Sequence, residues 1–167
     1  MDGLIPRTQG GRFTTSRYTV VMTSPRSVRF EPDTLTKLTT YANKHPGLST
    51  SSAAAMLVEE GLRMDAHPGV VFRDGPSGRR AGLIQGPDVW EVIAAVRDVR
   101  GAEPKLAAHD VVAAVSNLTG VSSVHVRIAV DYYSAYPTEI DADLDANEAA
   151  EVALREQIAR SQDLLGA

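Results

Sequence analysis

The sequence predicts a mainly α-helical protein with short β elements. Three observations point there. Apolar residues recur at helical spacing along most of the chain, as in Ala54, Leu57, Val58, Gly61 and Leu62. Alternation at strand period is confined to short stretches such as Ser27-Val28-Arg29-Phe30. Pro and Gly punctuate the chain at His45-Pro46-Gly47, His67-Pro68-Gly69 and Gly86-Pro87-Asp88, which cuts it into short elements. The 167 residues include no Cys, so thiol catalysis, Cys-ligated metals and disulfides are excluded. No apolar run approaches the ~18 residues of a membrane helix. The arginines near the N-terminus precede no apolar core of a secretory signal. A cytoplasmic protein without membrane partners is expected.

Each element has a local reason. Residues 1–24 are polar with Gly10 and Gly11, and read as a flexible basic arm carrying Arg7, Arg12 and Arg17. Ser27–Phe30 reads as a half-buried strand. Glu31-Pro32-Asp33 puts Pro and an acid where a helix begins. Leu35, Leu38 and Ala42 then share a face until His45-Pro46-Gly47. Ser49, Thr50, Ser51 and Ser52 offer cap hydroxyls for a second helix with the apolar face named above. Val70-Val71-Phe72, a turn over 74–78, and Ala81-Gly82-Leu83-Ile84 read as a hairpin. Asp88 opens a helix carrying Val89, Val92, Ile93 and Val96, ended by Gly101 and Pro104. Val111, Val112, Val115 and Leu118 face one side of the next, closed by Gly120. Ser122 or Ser123 caps another through Val124, Ile128, Tyr132 and Tyr136, halted by Pro137. Residues 141–167 read as an acidic C-terminal helix.

Charge divides the chain. Residues 1–64 hold eight Lys/Arg against five acids, a net of +3, and the remainder holds nine against sixteen, a net of −7. An anionic partner for the first part and a different partner for the second are the expectation. The strand–helix–helix unit over 27–64 is too small to bury a core alone, and a lone strand needs a twin from another chain.

Ser27-Val28-Arg29-Phe30-Glu31-Pro32-Asp33-Thr34-Leu35, followed by Leu48-Ser49-Thr50-Ser51 and Leu57-Val58-Glu59-Glu60-Gly61-Leu62-Arg63, resembles the ribbon-helix-helix DNA-binding family of Arc, MetJ and CopG type. The resemblance implies a ribbon-helix-helix domain over 25–65 that dimerises by pairing two antiparallel strands, a ribbon that enters the major groove. Alternation then directs Val28 and Phe30 into a shared core with Leu35, Leu38, Leu57 and Val58. Ser27 and Arg29 face the bases, with Arg26 beside them. Arg29 is able to give guanine two hydrogen bonds, worth about 1–3 kcal/mol of discrimination. The family implies phosphate contact at the first turn of the second helix, near Ser49, Thr50 and Ser51. Plain capping is the bland role of those hydroxyls. A surface ion pair is that of Arg29, and Glu31 would repel phosphate if it faced DNA.

His67-Pro68-Gly69-Val70, Gly86-Pro87-Asp88-Val89-Trp90-Glu91 and Tyr132-Tyr133 with Tyr136-Pro137-Thr138-Glu139-Ile140 resemble a small antitoxin-associated domain of VapB type. The resemblance implies a hairpin-and-helices domain over 66–140 whose partner is a PIN-like ribonuclease toxin. The helices near 107–118 and 123–136, joined through Gly120, have the order of a helix-turn-helix. With only His125 and Arg127 basic beside Asp110 and Asp131, a protein partner is the favoured reading of that domain. Tyr133 and Tyr136 are candidate anchors, as is a stripe of Leu154, Ile158 and Leu165 on the C-terminal helix. Residues 138–167 carry eight acids and two arginines. That excess suits a basic nuclease surface.

The expected function is that of an antitoxin that binds operator DNA as a homodimer or higher oligomer and neutralises a toxin. A free-standing regulator whose C-terminal domain oligomerises or senses a ligand is the runner-up, and a protein-interaction scaffold without DNA is third. The four His are scattered without ligand spacing, so no metal, cofactor or enzymatic activity is expected.

Overall fold

The computed structural model describes residues 27–75 and 78–166, so the arm at 1–24, Arg26 and the tip of the hairpin turn lie outside the described residues. The protein is mainly helical with one small antiparallel sheet. Its elements are α1 (Pro32–Lys44), α2 (Thr50–Ala66), β1 (Val70–Gly75), β2 (Gly78–Leu83), α3 (Val89–Ala102), α4 (Ala108–Thr119), α5 (Ser123–Ala135) and α6 (Pro137–Leu165).

The chain enters α1 through an extended Glu31, with Pro32 in the first turn and Lys37 Nζ on Asp33 at 2.6 Å. Residues 27–30, expected as a strand, pair with no strand among the described residues. A ladder needs two strands, and the only other pair in the described chain is already complete. Gly47 at φ +87° makes the turn into α2, where the Ser49 hydroxyl accepts from the Ser52 N–H at 3.1 Å. Leu38, Ala42 and Ala53 close the α1–α2 contact.

The main core lies elsewhere. Val70, Ala81 and Leu83 of the hairpin, Val89, Val92 and Ile93 of α3, Val111 and Val115 of α4, Val126, Ala129 and Tyr132 of α5, and Ile140 of α6 form it. The hairpin register sets Val70 opposite Leu83 and Gly75 opposite Gly78. Gly69, at φ +105°, lies so close to α5 that an added Cβ would stand 2.8 Å from Ile128 Cδ1. Gly69→Ala combines that clash with a left-handed backbone, so about 2 kcal/mol of stability should be lost in a denaturant titration.

Several faces differ from expectation. Leu118 is 68% and Val124 62% exposed, so neither joins the core. The inner face of α5 runs through Val126, Ala129 and Tyr132, with Ile128 packed at its edge and Val124 outside it. Helix α3 continues through Gly101 to Ala102 and stops before Pro104. Pro137 opens α6, a single 29-residue helix. Ile140 is fully buried and Leu144 packs on the core, whereas every residue from Glu148 to Gly166 is exposed. The last 18 or so residues, about 27 Å of helix at 1.5 Å each, therefore stand clear of the body. Truncation after Asn147 should leave the melting temperature within about 2 °C, because no buried apolar group is lost.

Candidate nucleic-acid and partner interface

Helix α2 has two unlike faces. The inner one is polar. The Arg79 guanidinium grips Glu60 through Nε at 2.7 Å and Nη2 at 2.9 Å, tying the hairpin to α2. Arg63 donates Nη1 to Glu139 at 2.5 Å and to the Tyr132 hydroxyl at 3.2 Å, and its Nε to Glu59 at 2.9 Å. Its guanidinium lies 4.2 Å over the Tyr136 ring. At the end of α2, His67 Nδ1 is 3.2 Å from Asp131 of α5. Desolvation opposes charge on Arg63, yet its bonds to Tyr132, Glu59 and Glu139 outweigh it and raise the pKa. The bonds Arg79 donates to Glu60 do the same for its own guanidinium. Burial raises the Tyr132 phenol, so it remains a proton donor to Glu139. These contacts clamp α2 onto the α5–α6 corner. Glu60→Ala would leave the Arg79 cation half-desolvated, at a cost of about 2 kcal/mol.

The outer face of α2 is apolar and open. Val58 is 56% and Leu62 63% exposed. Of the other residues expected in a dimer core, Val28, Phe30 and Leu35 are exposed as well. Leu57 is half-buried, and Leu38 is buried against α2 within its own chain. The expected DNA-facing groups Ser27, Arg29, Ser49 and Ser51 are exposed and Thr50 is half-buried. No acid occurs from residue 34 to 58, while Lys37 and Lys44 do.

Compared with family models, curated proteins and solved structures, the chain matches none.

The expected partner anchors fall into two groups. Tyr133 and Tyr136 are half-buried and already engaged: Tyr133 bonds Arg97 at 2.8 Å and Asp141 at 3.2 Å, and Tyr136 carries Arg63. Leu154, Ile158 and Leu165 are exposed on the projecting part of α6. They continue the side of the helix that begins at buried Ile140, at successive separations of fourteen, four and seven residues.

A second polar cluster, unforeseen in the sequence, fixes the hairpin. Asp88 accepts from Arg73 at 2.8 and 2.9 Å, and Arg80 Nε lies 3.2 Å from its other oxygen. Glu91 closes the start of α3 by accepting the Asp88 N–H at 2.6 Å. Burial, opposed by Arg80, raises the nearby Asp143 carboxyl above its ordinary value. A carboxylate whose folded pKa is raised loses stability as pH climbs through that value and costs nothing below the unfolded one. Asp143→Asn should therefore melt higher than the parent at pH 7, with the gap closing as pH falls below 4. No group of three or more His, Asp or Glu among the described residues is placed to hold a metal ion. No single helix there is long and apolar enough to cross a membrane.

Proposed function

We propose that this chain is a DNA-binding regulator of ribbon-helix-helix kind. Two copies pair through residues 27–30 and through the outer faces of α1 and α2, and the paired strands enter the major groove of operator DNA. One observation carries the reading. Val28, Phe30, Leu35, Val58 and Leu62, five large apolar side chains from three successive segments, are between 39% and 70% exposed in the single chain. Large apolar groups left this exposed call for a cover. Residues 27–30, unpaired in the single chain, have a natural partner in a second copy, since antiparallel pairing of two identical strands satisfies both edges.

Function follows from alternation. With Val28 and Phe30 turned into the joint core, Ser27 and Arg29 stand on the outer side of the ribbon, within reach of base edges. Residues 34–58 carry no acid, but exposed Glu31 and Asp33 precede them, so contact with the flanking phosphates falls to the free N–H groups of the first turn of α2. The projecting, acidic part of α6 supports the second half of the reading. It would hold a basic ribonuclease toxin through Leu154, Ile158 and Leu165, so that the chain acts as an antitoxin repressing its own operon.

The test is enrichment of random duplex DNA on the full chain. Arg29→Ala should flatten preference among the enriched duplexes by roughly tenfold at one base position per half-site. Uniform weakening for every sequence, or none, would count against base reading by the ribbon.

A further inference from the structure

We propose that His45 is a proton-operated latch that holds the end of α1 against the hairpin. The tripeptide His-Pro-Gly occurs twice, at 45–47 and 67–69, and it closes α1 and α2 in the same way. Each His caps its helix, and its N–H donates back into the last turn, to the Ala42 carbonyl at 3.0 Å and to the Arg63 carbonyl at 2.8 Å. Each His carbonyl accepts from the residue after the glycine, Leu48 at 3.1 Å and Val70 at 3.0 Å. The glycines stand at φ +87° and +105°, so both are turns with Pro second and a left-handed Gly third. An imidazole is thereby placed at the negative end of a helix dipole in both copies of the motif. Each ring also meets a carboxylate of another element. His45 Nε2 lies 3.4 Å from Asp74 of β1, and His67 Nδ1 lies 3.2 Å from Asp131 of α5.

The two rings differ in what the protonation state decides. His67 meets its carboxylate through Nδ1, and a neutral ring with its proton there still donates. Its helix is held besides by Glu60–Arg79 and Arg63–Glu139. At His45 both nitrogens face oxygens that only accept: Nδ1 is 2.8 Å from the Tyr41 carbonyl, and Nε2 faces the Asp74 carboxylate. Only the imidazolium donates to both, whereas the neutral ring turns a lone pair toward one of them. The His45 ring stacks on Tyr41 with centroids 4.1 Å apart, a face that favours a cation. Asp74 supports the charge. Arg79 of β2, 3.4 Å from the other Asp74 oxygen, opposes it, but Glu60 of α2 grips that arginine, and Lys44 beside His45 is exposed. Among the described residues, His45–Asp74 is the one hydrogen bond or ion pair that ties the end of α1 to another element. The helix otherwise buries only Leu38 and Ala42. Imidazole changes charge between about pH 5 and 8, where a carboxylate stays ionised. Docking of the end of α1 is therefore firm on the acid side of that window and loosens as pH rises through it. The latch does not depend on the ribbon reading.

The experiment is amide exchange by NMR on the full chain, from about pH 5.5 to 8. Protection factors are compared, because they remove the base-catalysed trend of exchange itself. For amides 41–45 protection should fall roughly threefold across the window, following the His45 ring signal, as suits an exposed ion pair at a helix end. Amides 63–67 should keep theirs. His45→Gln and Asp74→Asn should each abolish the pH dependence, leaving 41–45 at every pH as weakly protected as the parent is at the alkaline end. His109→Gln, a change at an exposed histidine of α4, should leave the dependence intact. Level protection of 41–45 in the parent overturns the proposal, and so does a pH dependence that survives both variants. A fall shared equally by 63–67 overturns it too, since it marks loosening of the whole chain. Where a variant fails to fold, the parent's own titration decides: protection that does not follow the His45 ring signal ends the latch.

Discussion

Val58→Glu combined with Leu62→Glu is expected to convert the protein to a monomer that no longer selects duplex DNA, with helix content by circular dichroism unchanged. Both side chains are more than half exposed in the single chain, so neither substitution disturbs its own fold. In a dimer each would lose the roughly 1.5–3 kcal/mol that full burial of such a side chain contributes. Each would also bring a carboxylate into an apolar interface, at a cost of several kcal/mol per charge. Four such changes per dimer exceed what a small interface returns. Sedimentation at tens of micromolar distinguishes the outcomes. A parent chain that sediments as a monomer ends the dimer reading outright, and a glutamate variant that stays dimeric moves the interface elsewhere. DNA selection should disappear with the dimer, because one strand alone offers the groove an unpaired and unsupported edge.

Local chemistry made much of this fold readable. Pro32, the Ser49 hydroxyl, the Asp88–Glu91 pair, Gly120 and Pro137 mark element ends by effects confined to one turn. Which face of a helix is buried depends on neighbours, and there the pattern misled. Of Val124, Ile128, Tyr132 and Tyr136, Tyr132 is fully buried and Ile128 and Tyr136 pack against the core, but Val124 is exposed, and Val126 and Ala129 extend the buried face on the side the spacing of four does not mark. Glu60 and Arg63 sit on the inner side of α2, where apolar groups were expected, because Arg79 and Glu139 reach them from 19 and 76 residues away. Nothing in the sequence near residue 60 announces those partners. A buried charge is legible only with its counter-ion, and counter-ions distant along the chain leave no periodic trace. The residues proposed for a ribbon present the opposite case. Ser27 and Arg29 alternate clearly with Val28 and Phe30, yet the partner that would give the alternation meaning lies outside a single chain.

Ile140→Ala should be among the most damaging substitutions in the C-terminal body, although Ile140 is only the fourth residue of a helix whose last half is dispensable to the fold. The side chain is fully buried where α6 meets the core. Removing it combines lost transfer energy with a cavity, for about 3–4 kcal/mol. In a chain of this length that lowers the melting temperature by roughly 6–15 °C. The effect should extend past the body. Glu139, its neighbour, holds Arg63 and Tyr132, so a loosened first turn of α6 also frees the inner face of α2. Amide exchange measured on α2 separates the two consequences. If Ile140→Ala accelerates exchange around Arg63 as well as within α5 and α6, the clamp transmits the loss. If α2 retains its protection while the body unfolds, then Glu60–Arg79 and Arg63–Glu139 are surface decoration and the two parts of the chain stand independently.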